Sequence, residues 1–382
     1  MPFHNGLLPR EGFKGDTLIS LIGKTAFNAK LLLPLFLAAK YTKRGQDLSI
    51  LHPTAFKRLK TLLILSLIGV ANRYLNRRVL NNGVSDTYDW AREIVLITGG
   101  AGGIGGEMVK LFAEKGVRVV VLDIQPLTFN AGPNVHYFKC DLTNRANVAS
   151  VAQEVRKKVG DPTVLINNAG VVQGRTVLET TEKDLRFTFD VNLFAHYYTA
   201  QEFLPYMIKR DHGMVVTVAS FASWVCVPNM VDYAASKAAA LSFHQGLTAE
   251  LKSTYKAPKV RTIVVNQGYT KTPLFEGYQN DSPFMVPPLE PATVAEAVVR
   301  KVLTGESGQV VVPKTGNIMS GLAAFPLWYQ TRLRAKNVTI MSQFKGRKVV
   351  KDLDTFYEGR EKGMEGKERM GGDGPEASTV LV

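Results

Sequence analysis

The feature that most constrains the fold is a set of short, continuous apolar runs between residues 92 and 315. Polar residues or glycines end these runs, and amphipathic helical patterns separate them. The runs are Ile94–Thr98, Val117–Leu122, Thr163–Ile166, Met214–Val218 and Val260–Val265. Strands without polar alternation are buried on both faces of a sheet, and intervening helices make right-handed crossovers between parallel strands. The sequence therefore predicts an α/β fold, a single Rossmann-type doubly wound parallel sheet with helices on both faces.

Composition divides the chain into three parts. Residues 1–91 form a basic, hydrophobic extension, and residues 92–315 hold the predicted sheet domain. Residues 316–382 begin with an apolar stretch, predicted to be helical, and end in a charged tail. Within this tail Gly359–Pro375 is rich in glycine, lysine and glutamate, so we predict that it is disordered.

The front of the chain is strongly basic. The formal net charge is +14, and residues 1–90 contain 13 Lys/Arg and 5 Asp/Glu. Such a surplus indicates either nucleic acid or an anionic membrane surface as a partner. No nucleic-acid motif or metal-ligand cluster accompanies it, whereas the apolar runs Leu31–Ala39 and Leu62–Ala71 lie between the basic clusters. We therefore predict membrane association, no nucleic-acid partner and no metal.

The apolar runs of the front allow two interpretations. Each is shorter than the roughly 20 residues that a spanning helix needs, and basic residues flank both. This pattern favours segments that lie in one leaflet, with lysines and arginines at the headgroups. The alternative is a pair of ordinary buried helices that pack on the main domain.

A glycine-rich loop, Gly99–Gly105, follows the first predicted strand and precedes a helix. Glycines let the backbone turn tightly and approach a pyrophosphate, whose charge the amides at the helix N-terminus favour. Asp123 ends the next strand, where a carboxylate can bind both ribose hydroxyls of an adenosine and would repel a 2′-phosphate. The spacing therefore predicts NAD as cofactor, in preference to NADP; the alternative role for Asp123 is a turn aspartate.

Tyr233 and Lys237 are four residues apart in a run of helix formers and share one helix face. An ammonium near a phenol, together with the positive charge of an oxidised nicotinamide, would lower the pKa of the phenol toward the working range. Ser220 follows the predicted strand Met214–Val218. Asn192 lies among apolar residues in a predicted helix, where a polar side chain indicates a specific structural or catalytic role. The alternatives are an ordinary surface pair of side chains four residues apart, a turn serine, and a buried helix-capping or structural amide.

These motifs together resemble the short-chain dehydrogenase/reductase family. The resemblance covers residues 92 to 315 and includes TGGAGGIG, the aspartate of CDLT, NNAG, YAASK and QGYTKT, in order and at family spacing. The segments HGMVVTVASFAS and VDYAASKAAALSFHQGLTAEL resemble the branch of retinol dehydrogenase 10-like and 17-beta-hydroxysteroid dehydrogenase type 11-like enzymes. That branch implies a membrane-bound enzyme at the endoplasmic reticulum or lipid droplets, with a cytosolic active site, and a possible homodimer.

The resemblance also implies a role for each site residue. Tyr233 would be the general acid/base, Lys237 would lower its pKa and hold the nicotinamide ribose, Ser220 would bond the substrate oxygen, and Asn192 would support a proton relay. The implied cofactor contacts are Gly99, Gly103 and Ile104 at the pyrophosphate, Asp141 at the adenine, Asn168 and Gly170 at the nearer ribose, and Thr272 at the carboxamide. Two departures concern the cofactor end: Gln267 stands where the family usually has proline, and Gly106 stands where this branch often has arginine.

The residues after Ser220 and the proline-rich segment Pro273–Pro291 are mostly apolar. We interpret them as a pocket and a lid for a lipid, retinoid or steroid alcohol, which a hydrophobic front would deliver. The apolar segment Asn317–Tyr329 is either a second membrane contact or a dimer contact. Two other functions stay open: an NADPH-dependent membrane ketoreductase of a keto-lipid, and a non-catalytic scaffold that senses NAD on membranes or lipid droplets.

Overall fold

The computed structural model describes residues 3, 4, 6, 8–279, 282–346, 350, 353 and 356. Its centre is a sheet of seven parallel strands in the order β3-β2-β1-β4-β5-β6-β7. The strands are β1 (Ile94–Thr98), β2 (Arg118–Asp123), β3 (Val135–Lys139), β4 (Val164–Asn167), β5 (Gly213–Val218), β6 (Val260–Gln267) and β7 (Gly308–Val312). The order reverses between β1 and β4, so the carboxyl ends of these two strands open a crevice in which nucleotides bind in folds of this kind. The predicted doubly wound sheet is confirmed.

In the part of the chain that the structure describes, four helices make up most of the front, and seven named helices surround the sheet or follow it. The front helices are α1 (Gly15–Lys24), α2 (Ala29–Tyr41), α3 (Lys43–Leu51) and α4 (Pro53–Leu80). The others are α5 (Gly103–Glu114), α6 (Arg145–Lys158), α7 (Glu182–Phe189), α8 (Ala195–Arg210), α9 (Val231–Ser253), α10 (Pro291–Val302) and α11 (Leu327–Lys336). A π-helical turn, Asp190–Phe194, joins α7 to α8, and short 3₁₀ turns follow β5, β6, β7 and α11.

The two faces of the sheet bury separate apolar clusters. One packs α5 and α10 against the sheet and includes Phe112 and Val298, whereas the other packs α6, α8 and α9 and includes Phe203 and Leu247. Helices on both faces explain why β1 is buried along its whole length. The outer strands β3 and β7 are only partly buried and therefore lack the continuous apolar runs by which the others were found.

The first two helices of the front expose most of their apolar side chains. The stretch Gly15–Tyr41 is the one candidate, within the described part of the chain, with the length and hydropathy to cross a membrane, and 6% of its most apolar 18-residue window is buried. Leu31, Leu33, Leu35 and Leu37 are 43–58% exposed, although α2 packs on α3 and α4. Exposed apolar side chains grouped in this way are typical of a membrane or protein contact. Pro34 lies inside α2, where it removes one helical hydrogen bond.

The start of α1 and the chain just before it are bound to the sheet domain near the predicted lid. Asp16 accepts hydrogen bonds from the backbone amides of Lys314 and Thr315, both at 2.8 Å. The amide of Gly15 donates to the carbonyl of Phe284 at 3.0 Å. Arg10 forms an ion pair with Glu296 at 2.8 Å. The front is therefore fixed to the sheet domain where the exposed helices begin.

The linker after α4 is fixed to the amino ends of the strands. Arg261, 1% exposed, donates from Nη1 to the carbonyl of Asn81 at 3.0 Å and from Nη2 to that of Val84 at 2.8 Å. His212 lies between two carboxylates, with Nδ1 2.7 Å from Asp86 and Nε2 3.3 Å from Glu93. The hydrogen bond with Glu93 is the main cause of the raised pKa of His212, and partial burial of the imidazole acts to lower this pKa. Burial acts to raise the pKa of Glu93, whereas hydrogen bonds from His212 and Thr163 act to lower it. The net result is a lowered pKa of Glu93.

We predict that this His212 cluster makes stability depend on pH. A histidine with a raised pKa stabilises the fold fully below its ordinary pKa, and the contribution is lost as pH rises through the folded-state pKa. His212→Gln removes the titration, so its deficit in Tm, measured in neutral detergent, should be large near about pH 6 and shrink toward about pH 9. A deficit that stays constant across this range would contradict the assignment.

Candidate active site

The glycine-rich loop between β1 and α5 is built for a close backbone approach. Gly99 and Gly103 have φ values of +66° and +56°, which residues with side chains rarely adopt. A methyl group on Gly105 would lie 2.1 Å from the carbonyl oxygen of Gly99 and 2.6 Å from Nδ2 of Asn168. Gly103 and Ile104 open α5, so the free amides of the first helical turn face the crevice above the sheet. The loop is therefore suited to hold a phosphate.

Asp123, at the end of β2, braces this loop. Its Oδ2 accepts from the amide of Ala101 and its Oδ1 from the amide of Gln125, both at 2.9 Å. Thr128 closes the loop from outside, donating from its hydroxyl to the carbonyl of Ala101 at 2.7 Å. The carboxylate of Asp123 thus lies at the cavity and also fixes the loop conformation, a second role that the spacing alone did not reveal.

Asp141 and Asn168 follow the next two strands. Oδ1 of Asp141 accepts from the hydroxyl of Thr143 at 2.7 Å and from its amide at 3.0 Å. Asn168 donates from Nδ2 to the carbonyls of Thr98 and Gly99, at 3.0 and 3.1 Å. Asn168 therefore joins the end of β4 to the glycine loop. Both residues line the cavity.

The four predicted catalytic residues lie together at the carboxyl ends of β4 and β5. Tyr233 and Lys237 are 3% and 2% exposed, so the alternative of an ordinary surface pair is wrong. Lys237 donates from Nζ to the carbonyl of Val218 at 2.9 Å, and its ammonium lies 5.8 Å from the ring centre of Tyr233. A methyl group on Gly170 would lie 3.4 Å from Nζ of Lys237 and 3.5 Å from Oδ1 of Asn192, so Gly170 leaves room for both.

Asn192 lies in the π-helical turn and is fully buried. Its Oδ1 accepts from the amide of Val171 at 2.8 Å. Its Nδ2 donates to the carbonyl of Val171 and to Oγ of Ser236, both at 2.9 Å. Both amide protons are therefore used inside the protein. A π-helical turn displaces backbone carbonyls from the regular ladder, so a proton relay at Asn192 would use its backbone oxygen.

Burial dominates the titration of the catalytic pair. It raises the pKa of Tyr233 to about 12, against the hydrogen bond with Ser220, which acts to lower it. Burial also lowers the pKa of Lys237 to about 8. Both shifts disfavour charge in this dry site. Lys237 is not among the causes of the Tyr233 pKa shift in this structure. The lowering of this pKa by Lys237 stays a prediction for the enzyme with its nucleotide bound.

One cavity of about 930 Å³ joins the glycine loop to the catalytic residues. Every predicted site residue lines it except Asn192, which lies behind Gly170 and Val171. Thr272 faces the loop, because a methyl group on Gly103 would lie 3.5 Å from its Cγ2. Tyr233 contacts an apolar cluster formed by Met230, by the segment after β6 and by Met341. This contact confirms that apolar residues after Ser220 and in Pro273–Pro291 border the site.

The sequence did not indicate that the chain beyond residue 315 is a cavity wall. Residues of the 3₁₀ turn Lys314–Ala324, of α11 and of the turn Asn337–Met341 line the cavity. The predicted lid is hydrogen-bonded to this part of the chain. The amide of Gln279 donates to the carbonyl of Ile340 at 2.9 Å, and the amide of Lys345 donates to the carbonyl of Glu276 at 2.8 Å. The predicted disordered tail, Gly359–Pro375, lies outside the described residues.

The two departures from the family pattern have structural counterparts. Gln267 ends β6, pairs with Val312 and is 8% exposed, so the loop after it begins from a fixed strand end. A methyl group on Gly106 would lie 3.2 Å from the ring of Phe129, which occupies the space beside that glycine.

The residues present fit a nicotinamide dinucleotide. The glycines leave no room for side chains at the loop, a helix N-terminus adjoins it, and Asp123 ends the neighbouring strand on the same cavity. The two carboxylates that line the cavity, Asp123 and Asp141, lie at the outer end, whereas the buried Tyr233 and Lys237 lie at the inner end. An extended molecule with sugars at one end and a reacting ring at the other matches this layout.

Comparison with known proteins agrees with this geometry. The model of a family described as short chain dehydrogenase matches residues 93–283, half of the chain. Dehydrogenase RED2 of Cochliobolus heterostrophus is 42% identical over 54% of this chain and 81% of its own length. Human epidermal retinol dehydrogenase 2 is 34% identical over 71% of this chain and 87% of its own length. Mouse estradiol 17-beta-dehydrogenase 11 is 36% identical over 59% of this chain and 76% of its own length.

Solved structures share the fold. A short chain dehydrogenase from Burkholderia cenocepacia in complex with NADP covers 63% of this chain and 96% of its own, with a TM-score of 0.52 and 29% identity. A 4-hydroxyisoleucine dehydrogenase complexed with NADH has a TM-score of 0.53 over 58% of this chain and 97% of its own; at 22% identity it supports the fold alone.

Proposed function

This chain belongs to the short-chain dehydrogenase family, and from that premise we propose that it interconverts a hydrophobic alcohol and its carbonyl with NAD. The observation that carries the proposal is the buried Tyr233, bonded to Ser220, in the same cavity as a glycine loop braced by Asp123. The enzyme class, an oxidoreductase acting on CH–OH groups, is that of the family. The cofactor preference, the acid/base, the lipid substrate and the membrane role are our proposals.

Tyr233 is the proposed general acid/base. In the oxidation direction its phenolate accepts the proton of the substrate hydroxyl, while Ser220 donates a hydrogen bond to the same oxygen. A bound nicotinamide supplies the hydride acceptor in this direction and the donor in the reverse. Burial alone holds the pKa of Tyr233 near 12, so a positive charge beside the ring is needed to form the phenolate at working pH. Lys237 carries one such charge, and its bond to Val218 holds it in place.

The cofactor preference rests on charge at the outer end of the cavity. The carboxylate of Asp123 is fixed by two amides, and the neighbouring cavity residues Ile124, Gln125 and Thr128 carry no positive charge. A 2′-phosphate would therefore meet a carboxylate and no compensating cation, which disfavours NADP.

The substrate class rests on the inner walls of the cavity. Tyr233 contacts Phe275 edge to face at 5.6 Å, and Met230, Val172 and Met341 pack around it. Such walls favour a long apolar molecule over a small polar one. Among the relatives, names that specify retinol and estradiol agree with an apolar alcohol. We propose a lipid, retinoid or steroid alcohol.

The exposed helices of the front support a membrane or lipid-droplet location. The apolar surface of α1 and α2 is flanked by basic residues, and bonds of Gly15 and Asp16 hold the start of α1 beside the lid. A substrate dissolved in the lipid phase would then enter near the anchor. The endoplasmic reticulum or lipid droplet as the location, the cytosolic site and the homodimer remain predictions.

We predict that Tyr233→Phe lowers kcat about 10²–10⁴-fold, since only the transferable proton is removed. NAD binding, measured by calorimetry, should stay within about twofold because the ring still fills its place. A lipid-alcohol panel with NAD, followed by NADH absorbance, measures turnover. Full activity of the variant would place the acid/base elsewhere, and NAD binding by the unaltered protein without turnover of any alcohol would support the scaffold.

We predict that Asp123→Asn narrows the NAD-over-NADP ratio of kcat/KM by about tenfold or more. The carboxamide keeps one acceptor for the two loop amides and removes the charge that repels a 2′-phosphate. Asp123→Ala is the comparison, because it loses the bonds to both Ala101 and Gln125 and should weaken the binding of both cofactors further. If the unaltered protein prefers NADP, the ketoreductase alternative holds.

We predict that Leu31→Glu with Leu35→Glu releases the protein from membranes. Both side chains are at least half exposed on α2, so a charge there opposes lipid contact without disturbing a buried core. Flotation with phosphatidylcholine vesicles measures the loss. Leu178→Glu with Leu185→Glu is the matched control, since these exposed leucines lie on the sheet domain. Equal flotation of both double variants would argue against an anchor at α2.

A further inference from the structure

One face of α11 and the turn after it borders the substrate half of the cavity. The residues on this face are Tyr329, Arg332, Leu333, Lys336, Asn337 and Ile340, spaced three and four apart. This spacing places them on one side of a helix. Two of the six carry a positive charge. Arginine and lysine stems cover apolar surface while their charged heads stay in water, so both residues suit the mouth of an apolar channel.

Positive and negative charges are separated along the cavity. Among the described residues that line the cavity, the carboxylates are Asp123 and Asp141, which follow β2 and β3. The wall that contains α11 lies beside the catalytic residues, because Ile340 of the turn after α11 packs in the apolar cluster of Tyr233. Among the described residues that line the cavity, this wall contributes Arg332 and Lys336 and no acid.

The side chains of Arg332 and Lys336 are unpaired within the described part of the chain. Across the described residues, neither has an ion pair or a side-chain hydrogen bond, and both are exposed. Arg334, between them on the helix, differs: both of its terminal nitrogens lie 3.2 Å from Oε1 of Gln330, and it does not line the cavity. The two cations that face the cavity are thus available for a ligand.

The distance from the catalytic tyrosine is that of an extended alkyl chain. Ile340 packs in the same cluster as Tyr233, and Lys336 and Arg332 lie one and two helical turns before it. Eight residues of helix span about 12 Å. Apolar walls extend over this distance, with Leu333 between the two cations.

We propose that the substrate is an anionic amphiphile: an apolar chain with its alcohol at Tyr233 and an acidic group, such as a carboxylate, held by Arg332 and Lys336. This inference rests on the proposed function, since it concerns the same cavity and reaction. It narrows the substrate from apolar alcohols in general to hydroxy acids and related acidic lipids. Arg332 and Lys336 are then specificity residues that do not touch the reacting atoms.

The test compares an ω-hydroxy fatty acid with its methyl ester, which has the same chain and no charge. Assays use the full chain in uncharged detergent, with saturating NAD and NADH absorbance as readout. Arg332→Gln with Lys336→Gln should raise KM for the hydroxy acid about tenfold, leave kcat unchanged and leave KM for the ester within about twofold. Arg334→Gln with Lys314→Gln removes the same charge from positions after β7 that do not line the cavity and should change neither KM.

The outcomes separate this inference from the function on which it rests. Turnover of the ester and the hydroxy acid with equal KM in the unaltered protein would overturn the anionic subsite while the dehydrogenase stands. Absence of NADH with both substrates and with neutral lipid alcohols would overturn the proposed function itself. Flotation on vesicles of phosphatidylcholine and phosphatidylglycerol is the last arm: weaker flotation of the cavity variant with an unchanged KM would assign the two cations to membrane headgroups and refute a substrate site.

Discussion

The buried ammonium of Lys237 is the constraint around which the catalytic centre is arranged. It is 2% exposed, and one backbone carbonyl, that of Val218, accepts its hydrogen bond. A charge in such surroundings is costly, so its pKa falls to about 8. Gly170 lies beside it, where an added methyl group would be 3.4 Å from Nζ, and Asn192 is held by the backbone of Val171. The end of β5, the end of β4 and the middle of α9 meet at this one group.

The strand ends that support Lys237 also support the nucleotide loop. The hydroxyl of Thr98 accepts from the amides of Asn168 and Ala169 at 3.0 and 3.1 Å, which joins β1 to β4 at the crevice. The same segment continues to Gly170 beside the ammonium. The cofactor loop and the acid/base are thus connected through Thr98 and the backbone of Asn168, Ala169 and Gly170. A shift in the position of one would therefore move the other.

The central strands and the site could be predicted because burial leaves a mark in the sequence. β1, β4, β5 and β6 are buried along their length and contain continuous apolar runs, and the glycines of the loop are required by φ values or by contact. The wall formed by α11 could not be predicted. Its sequence, LWYQTRLRAK, has no clear apolar stripe, and its cavity face depends on where β7 ends and on lid bonds such as Gln279 to Ile340. Such long-range contacts have no local pattern.

Asp123 shows that recognition and architecture can share a single carboxylate. Its two oxygens hold Ala101 and Gln125, and the group also stands where a ribose would bind. A lineage that exchanged this acid for a small residue to admit a phosphorylated sugar would lose the loop's shape in the same step. The order of changes is therefore constrained: new acceptors for those two amides must arise first, and only afterwards can the negative charge be given up.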